Sequence, residues 1–390
     1  MSSEYSTFRG NAARRPVTPC HLAPPLRQQW YEARSFPAPH PIIGHGLVFL
    51  ASQDGRTVAR DETSGSAAWV SKNMGAPGTL HGEAVVRATG RIELADARTG
   101  RTVDAIDART PLEMACVGDV VLARTYDAQA ALLYAVDLAR RQITWRFRLP
   151  ADNVGHSWRA RISTSCGATS ERVIFGTNDG TVLSLDLRTG SEFWRTTVAD
   201  LSWEHHNGRR PGEPRGAVVI YDDLAIVEVL GGHVACFRSA TGERRWTWYE
   251  GPSLGEGYLY GDLYYVHNGG GWVFAVDPRT GKTVSKTDLY ARMPAKARVV
   301  IGDINPPFVV SETHFFTGSS SGHIVAFDRG MGRYVWSGRP RGGSSTYYDG
   351  NYFIAVDHRL YYGDQSFGIH CLEEEQPAKS RPRRREANRR

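Results

Sequence analysis

Aromatic, guanidinium and imidazole groups gather in three long stretches between strand-like runs of this sequence. They are "PADNVGHSWRARIST" (150–164), "ADLSWEHHNGRRPGEPRG" (199–216) and "LYARMPAKARVVIGDINP" (289–306). Together they supply His156, Trp158, Arg159, Arg161, Trp203, Glu204, His205, His206, Arg209, Arg210, Lys296, Arg298 and Asp303. Guanidinium forks hold anions by paired hydrogen bonds, and aromatic planes stack on rings. Trp158, Arg159, Arg161, Trp203, Arg209, Arg210 and Arg298 therefore suit binding of an anionic or aromatic small molecule. Imidazole titrates near neutral pH, which makes His205 and His206 the sharpest candidates for proton transfer, with Glu204, His156 and Asp303 as further acid/base groups. Loop histidines and arginines are equally at home simply solvated. Adjacent imidazoles do not point the same way, so no metal site is assigned. The patterns GxSxG and HExxH, the P-loop and the EF-hand loop are absent. "GGG" (269–271) falls in a hairpin with no helix after it and is a turn.

The elements that must position these groups repeat. "VLSLDLRTGSEFW" (182–194) recurs as "TVARDETSGSAAW" (57–69), "LYAVDLARRQITW" (133–145), "VACFRSATGERRW" (234–246) and "IVAFDRGMGRYVW" (324–336). Weaker copies, "IELADARTGRTVD" (92–104) and "VFAVDPRTGKTVS" (273–285), place Asp104 and Ser285 in the Trp slot. Each copy follows two further short β-rich runs, so a unit reads as four strands, A to D, separated by turns. Four antiparallel strands every 35–50 residues mark a propeller blade. Seven complete units run from about 39 to 340, and 351–374 supply three more strands. The missing fourth is "LRQQWYEARS" (26–35), with Trp30 in the Trp slot. The predicted fold is an all-β, eight-bladed propeller over residues 1–375, with 1–25 as lead-in and the last blade closed by the N-terminal strand. Asp and Gly set the C–D turn, and the Trp fills the gap between blades.

In this architecture the D–A and B–C loops share one face, so the three long stretches fall together. The starts of the A strands add His40, His81, Glu113, Glu256, Asp303, Asn305 and Asp349 at the channel mouth, either as converging acid/base groups or as the lining of a wet, polar channel.

The formal charge of +6 is local: residues 379–390, "KSRPRRREANRR", carry seven cations and one anion. The segment 376–390 reads as a disordered basic tail, and the body has no bias toward nucleic acid. There is no apolar run long enough to span a membrane, and the N-terminus has no apolar core of the kind a secretory signal needs. Five scattered cysteines fit reduced thiols. Together these point to a cytoplasmic protein without membrane or specific nucleic-acid partners. Oligomeric state is open.

"AVDPRTGK" and "LDLRTGSEFW" above all resemble the pyrroloquinoline-quinone-type (PQQ-like) repeat, and "FRGNAARRP" (8–16) resembles the lead-in common in such proteins. The resemblance covers nearly the whole chain. It implies the eight-bladed scaffold of the quinoprotein alcohol dehydrogenases and of the propeller lipoprotein of outer-membrane assembly; its motifs specify fold rather than chemistry. Those dehydrogenases set a vicinal cysteine pair over the cofactor, with Glu/Asn/Asp ligands for calcium, whereas no two cysteines are adjacent here. The expectation is therefore an enzyme of lyase, cyclase, isomerase or hydrolase type that works on a small metabolite by acid/base chemistry without a cofactor and is not a quinone-dependent dehydrogenase. The alternative is a non-catalytic platform for a protein partner on the same face. An enzyme requires His205, His206 and Arg161 to converge on a concave pocket; a platform requires an apolar, convex patch.

Overall fold

A computed structural model of the protein describes residues 6–7, 10–14, 20–32, 40–109, 111–126, 130–150, 163–205, 208–251, 257–268, 270–345, 352–364, 366 and 368–375. Eight four-stranded antiparallel sheets follow one another, each in plain A-B-C-D order. Blade 1 starts at Ile42–Gly44, blade 2 at Ala76–His81, blade 3 at Glu113–Val117 and blade 4 at Gly167–Ala168. Blades 5 to 8 start at Pro214–Tyr221, Tyr258–Tyr260, Ile304–Val310 and Phe353–Val356. The A strands touch between blades 1 and 2, 2 and 3, 4 and 5, 6 and 7, and 7 and 8, and line the inner wall. Leu26–Glu32 pairs with Ile369–Glu374 from Leu26↔Glu374 to Glu32↔Ile369, and so supplies the outer strand of blade 8 as the repeat requires.

The turn chemistry of the repeat is visible atom by atom. In blade 4, Asp186 Oδ1 accepts the N–H groups of Arg188 (2.9 Å) and Thr189 (2.7 Å), and the Gly190 N–H reaches the Asp186 carbonyl at 2.9 Å. Gly190 has φ 72°, a conformation that costs an L-residue about 1 kcal/mol or more. It has a second reason to be glycine: the Trp145 indole of blade 3 lies against it, and a Cβ there would sit 2.6 Å from Trp145 Cδ2. The indole N–H then donates to the Leu187 carbonyl at 2.8 Å. The same arrangement joins Trp30 to Glu62, Trp69 to Ala97, Trp194 to Ser239 and Trp246 to Pro278, each through an indole N–H to a carbonyl of the next blade. Tryptophan thus fastens the seams, burying a large apolar ring while its one donor is satisfied.

The seam between blades 2 and 3 departs from this pattern on both sides. Asp104 replaces the Trp, and Arg141, at φ 55°, replaces the Gly. The two bind each other instead, Arg141 Nε to Asp104 Oδ2 at 2.7 Å.

Two of the long insertions carry structure of their own. Trp203–His205 pairs with Gly208–Arg210 as a two-stranded hairpin outside the blades. Residues 289–301 form two short helices, Leu289–Arg292 and Ala295–Ile301; Asp288 caps the first by accepting the Ala291 N–H at 2.9 Å. No described helix is long and apolar enough to cross a membrane. The tail from 376 onward lies outside the described residues.

Candidate functional site

The residues singled out in the loops divide into three groups. Trp203, Glu204, Arg209 and Arg210 share the hairpin, with Glu204 opposite Arg209 and Trp203 opposite Arg210. Trp203 is half-buried against Gly231, where a Cβ would lie 2.3 Å from its own Cβ, so it anchors the hairpin on blade 5. Glu204, Arg209 and Arg210 are exposed, and Arg209 Nε donates to Ser202 Oγ at 2.6 Å. The backbone of His205 pairs with Gly208. Arg298 and Asp303 belong to the helical insertion: the Arg298 guanidinium donates to the Tyr290 carbonyl, and the backbone N–H of exposed Asp303 donates to Ser320 Oγ at 3.0 Å. His206, His156, Trp158, Arg159 and Arg161 lie outside the described residues.

The channel set divides as well. His81 sits at the A–B turn of blade 2, with its ring 3.5 Å from Asp119 Oδ1 and 3.6 Å from Cys116 Sγ. The backbone of Asn305 pairs with Gly318, while Glu256 and Asp349 lie outside the described residues. His40 and Glu113, in contrast, meet. They border a cavity of about 180 Å³ on the inner wall, together with Thr7, Pro77, Gly78, Met114, Arg124 and Ser165.

Glu113 is the electrostatic centre of that wall. Arg124 Nη2 approaches Oε2 at 2.8 Å, and Arg14 Nη2 donates to Oε1 at 2.5 Å. Arg14 comes from the lead-in, is 2% exposed, and fixes its other edge on the Cys166 carbonyl, Nε to O 2.7 Å. The lead-in reaches this place along the A strands: Leu80 N–H donates to the Ser6 carbonyl, Thr7 Oγ1 to the Met114 carbonyl, Ala168 N–H to Ala12 and Ile220 N–H to Ala13. Burial pushes the Glu113 carboxyl upward. Arg124, Arg14, a hydrogen bond from Ser165 and the His40 ring outweigh it, and the net shift is below the ordinary carboxylate value. This site holds a fixed carboxylate between two guanidiniums. Sequence spacing does not reveal Arg14 and Arg124 as a pair; "FRGNAARRP" (8–16) marks Arg14, and nothing marks Arg124.

Burial disfavours the thiolate form of the cysteines. Burial pushes Cys20, Cys116, Cys166, Cys236 and Cys371 up to about 12, and all five are free.

The fold and site define an eight-bladed propeller whose inner wall is tied by its own N-terminal lead-in. The chain belongs to the PQQ-like propeller family described as "Outer membrane protein assembly factor BamB", which it matches over residues 73–268 and 204–376. Among solved structures it is similar to BamB from Moraxella catarrhalis, with a TM-score of 0.65 at 18% identity over 89% of this chain and 99% of that one. It is also similar in fold to a europium-containing methanol dehydrogenase, with a TM-score of 0.64 at 10% identity over 95% of this chain and 98% of that one. Among curated proteins it is 30% identical over 166 residues to the quinohemoprotein alcohol dehydrogenase ADH IIB of Pseudomonas putida. That alignment takes in 37% of this chain and 23% of the enzyme.

These likenesses correct one expectation. Enzymes similar to this chain include alcohol and methanol dehydrogenases, three of them quinohemoproteins by name. A cofactor-independent acid/base enzyme set apart from the quinone-dependent dehydrogenases is therefore not the reading the comparisons support. That expectation rested on loop imidazoles and on cysteine spacing, whereas the likeness is carried by the repeat. The cavity beside Glu113 on the inner wall measures about 180 Å³, below the roughly 300–1,000 Å³ usual for ligand pockets. No group of three or more described His, Cys, Asp or Glu residues is placed to hold a metal ion.

Proposed function

We propose that the protein is a binding scaffold that docks a protein partner on its loop-rich face. The observation that carries this reading is the helix Ala295–Ile301, which presents Val299 at 86% and Val300 at 62% exposure. By strand polarity the same face receives the hairpin with Arg209 and Arg210. It also receives Tyr249, half exposed at the end of the outer strand of blade 5 and stacked on the His233 ring at 4.4 Å. Apolar anchors beside aromatic and guanidinium groups are the usual composition of a docking surface. Two adjacent valines held out to water on a helix favour a platform over a pocket. Membership of a family described as an assembly factor supports the same reading. We further propose a cytoplasmic location, a reading that five unpaired thiols favour.

The test is co-purification from the source organism with wild type and with a Val299→Asp/Val300→Asp variant, confirmed folded. A partner retained by wild type and lost from the variant is expected. In parallel, the protein is incubated with pyrroloquinoline quinone, calcium, a primary alcohol and a dye acceptor. Dye reduction that depends on the quinone, or a partner held equally by the variant, would sink the proposal.

A further inference from the structure

The seam between blades 2 and 3, where the Trp-on-Gly fastening is missing, opens into a cavity of about 330 Å³. Its walls are Ala108 and Arg109 from the end of blade 2 and Leu132, Tyr134, Ile143, Arg146 and Arg148 from the outer strands of blade 3. Those strands set Leu132 opposite Arg148 and Tyr134 opposite Arg146, so apolar and cationic positions alternate along one wall. The floor offers no free polar group to a ligand: the Tyr134 hydroxyl is already donated to the Arg109 carbonyl. Arg146 and Arg148 are exposed and have no carboxylate partner among the described residues, whereas Arg141, a turn away, is neutralised by Asp104.

We infer that this seam is a binding site for an amphipathic carboxylate, its apolar body lying on Leu132, Tyr134 and Ile143 and its head held by Arg146 and Arg148. Three features lead to that class. The cavity falls at the small end of ligand sites, which sets a compact body. A largely apolar floor, whose one hydroxyl already donates to the Arg109 carbonyl, disfavours a polar body, because most buried polar groups would lose their hydrogen bonds. Guanidinium forks match the plane of a carboxylate with two parallel hydrogen bonds.

Octanoate is the probe, titrated calorimetrically against the full chain, with acetate and 1-octanol as the head-only and body-only controls. Octanoate is expected to bind at least about tenfold more tightly than either control, since each lacks one half of the recognition. An Arg146→Gln/Arg148→Gln variant removes the head contacts from exposed positions, and Ala108→Trp fills the cavity; both are expected to weaken octanoate at least about tenfold. No octanoate binding overturns the inference. So does 1-octanol binding as well as octanoate, or octanoate binding unchanged in both variants, which would place the probe elsewhere on the protein.

Discussion

Changing Gly190 to Ala isolates what the inter-blade tryptophan contributes. Two costs add at this position. The left-handed backbone, φ 72°, strains any L-residue by roughly 1–2 kcal/mol. The new methyl, 2.6 Å from Trp145 Cδ2, must push the indole off its seat, and overpacking of this kind costs about 1–3 kcal/mol. Gly118 separates the two, because it has φ 55° and nothing within 4 Å of a built Cβ, so Gly118→Ala carries the backbone cost alone. Urea unfolding followed by tryptophan fluorescence should rank wild type above Gly118→Ala, and Gly118→Ala above Gly190→Ala by about 1–3 kcal/mol. In a Trp145→Leu background the gap between the two substitutions should close, since the methyl then meets a smaller side chain. Equal midpoints for the two single variants would refute the idea that the indole is packed tightly on the turn. So would a gap that persists without the indole.

Three further outcomes follow from the same structure. Glu113→Gln leaves Arg14 and Arg124 facing each other on the inner wall and should cost about 3 kcal/mol at neutral pH. The folded carboxyl lies below its ordinary value, so its stabilisation is complete above that ordinary value and is lost as pH falls through the lowered one. The melting-temperature gap between wild type and variant should therefore shrink below about pH 4, and a gap constant down to pH 3 would contradict this. Iodoacetamide at pH 8 should leave the native thiols largely unmodified and label all five in denaturant, with Cys116, the least covered, reacting first by mass spectrometry. Val299→Asp/Val300→Asp should leave the melting temperature near wild type, because both side chains are already in water.

The fold was legible because its determinants are local and repeated. Asp, Gly and Trp within thirteen residues write the turn and the seam, and Trp30 outside the run identified the strand that closes blade 8. Glu113 and His40 could be placed on the channel wall because they precede A strands. Arg14 could not, since it meets Glu113 across 99 residues through a lead-in with no strand period. In the loops the limit was chemical. Trp203 suits a ligand cage and an anchor equally by type, and only its seat on Gly231 decides for the anchor. Arg298, read as a ligand group, holds a backbone carbonyl of its own insertion. The altered joint between blades 2 and 3 was harder to see: Asp104 marks a weaker copy of the motif, but Arg141 lies in a copy that keeps its Trp, and only their ion pair shows that the two belong to one seam.

Closure by the first strand also sets a timetable for synthesis. Leu26 pairs with Glu374, roughly 350 residues later, so at about 5–20 residues per second the strand waits on the order of 20–70 s for its partner. Throughout that interval its backbone edge is available to any passing chain. Arg27, Gln28 and Gln29 keep that waiting strand polar, and the cis-linked Pro24-Pro25 pair stands immediately before it, where neither residue has an N–H to offer a neighbour. The ring is thus assembled with its clasp made first and fastened last.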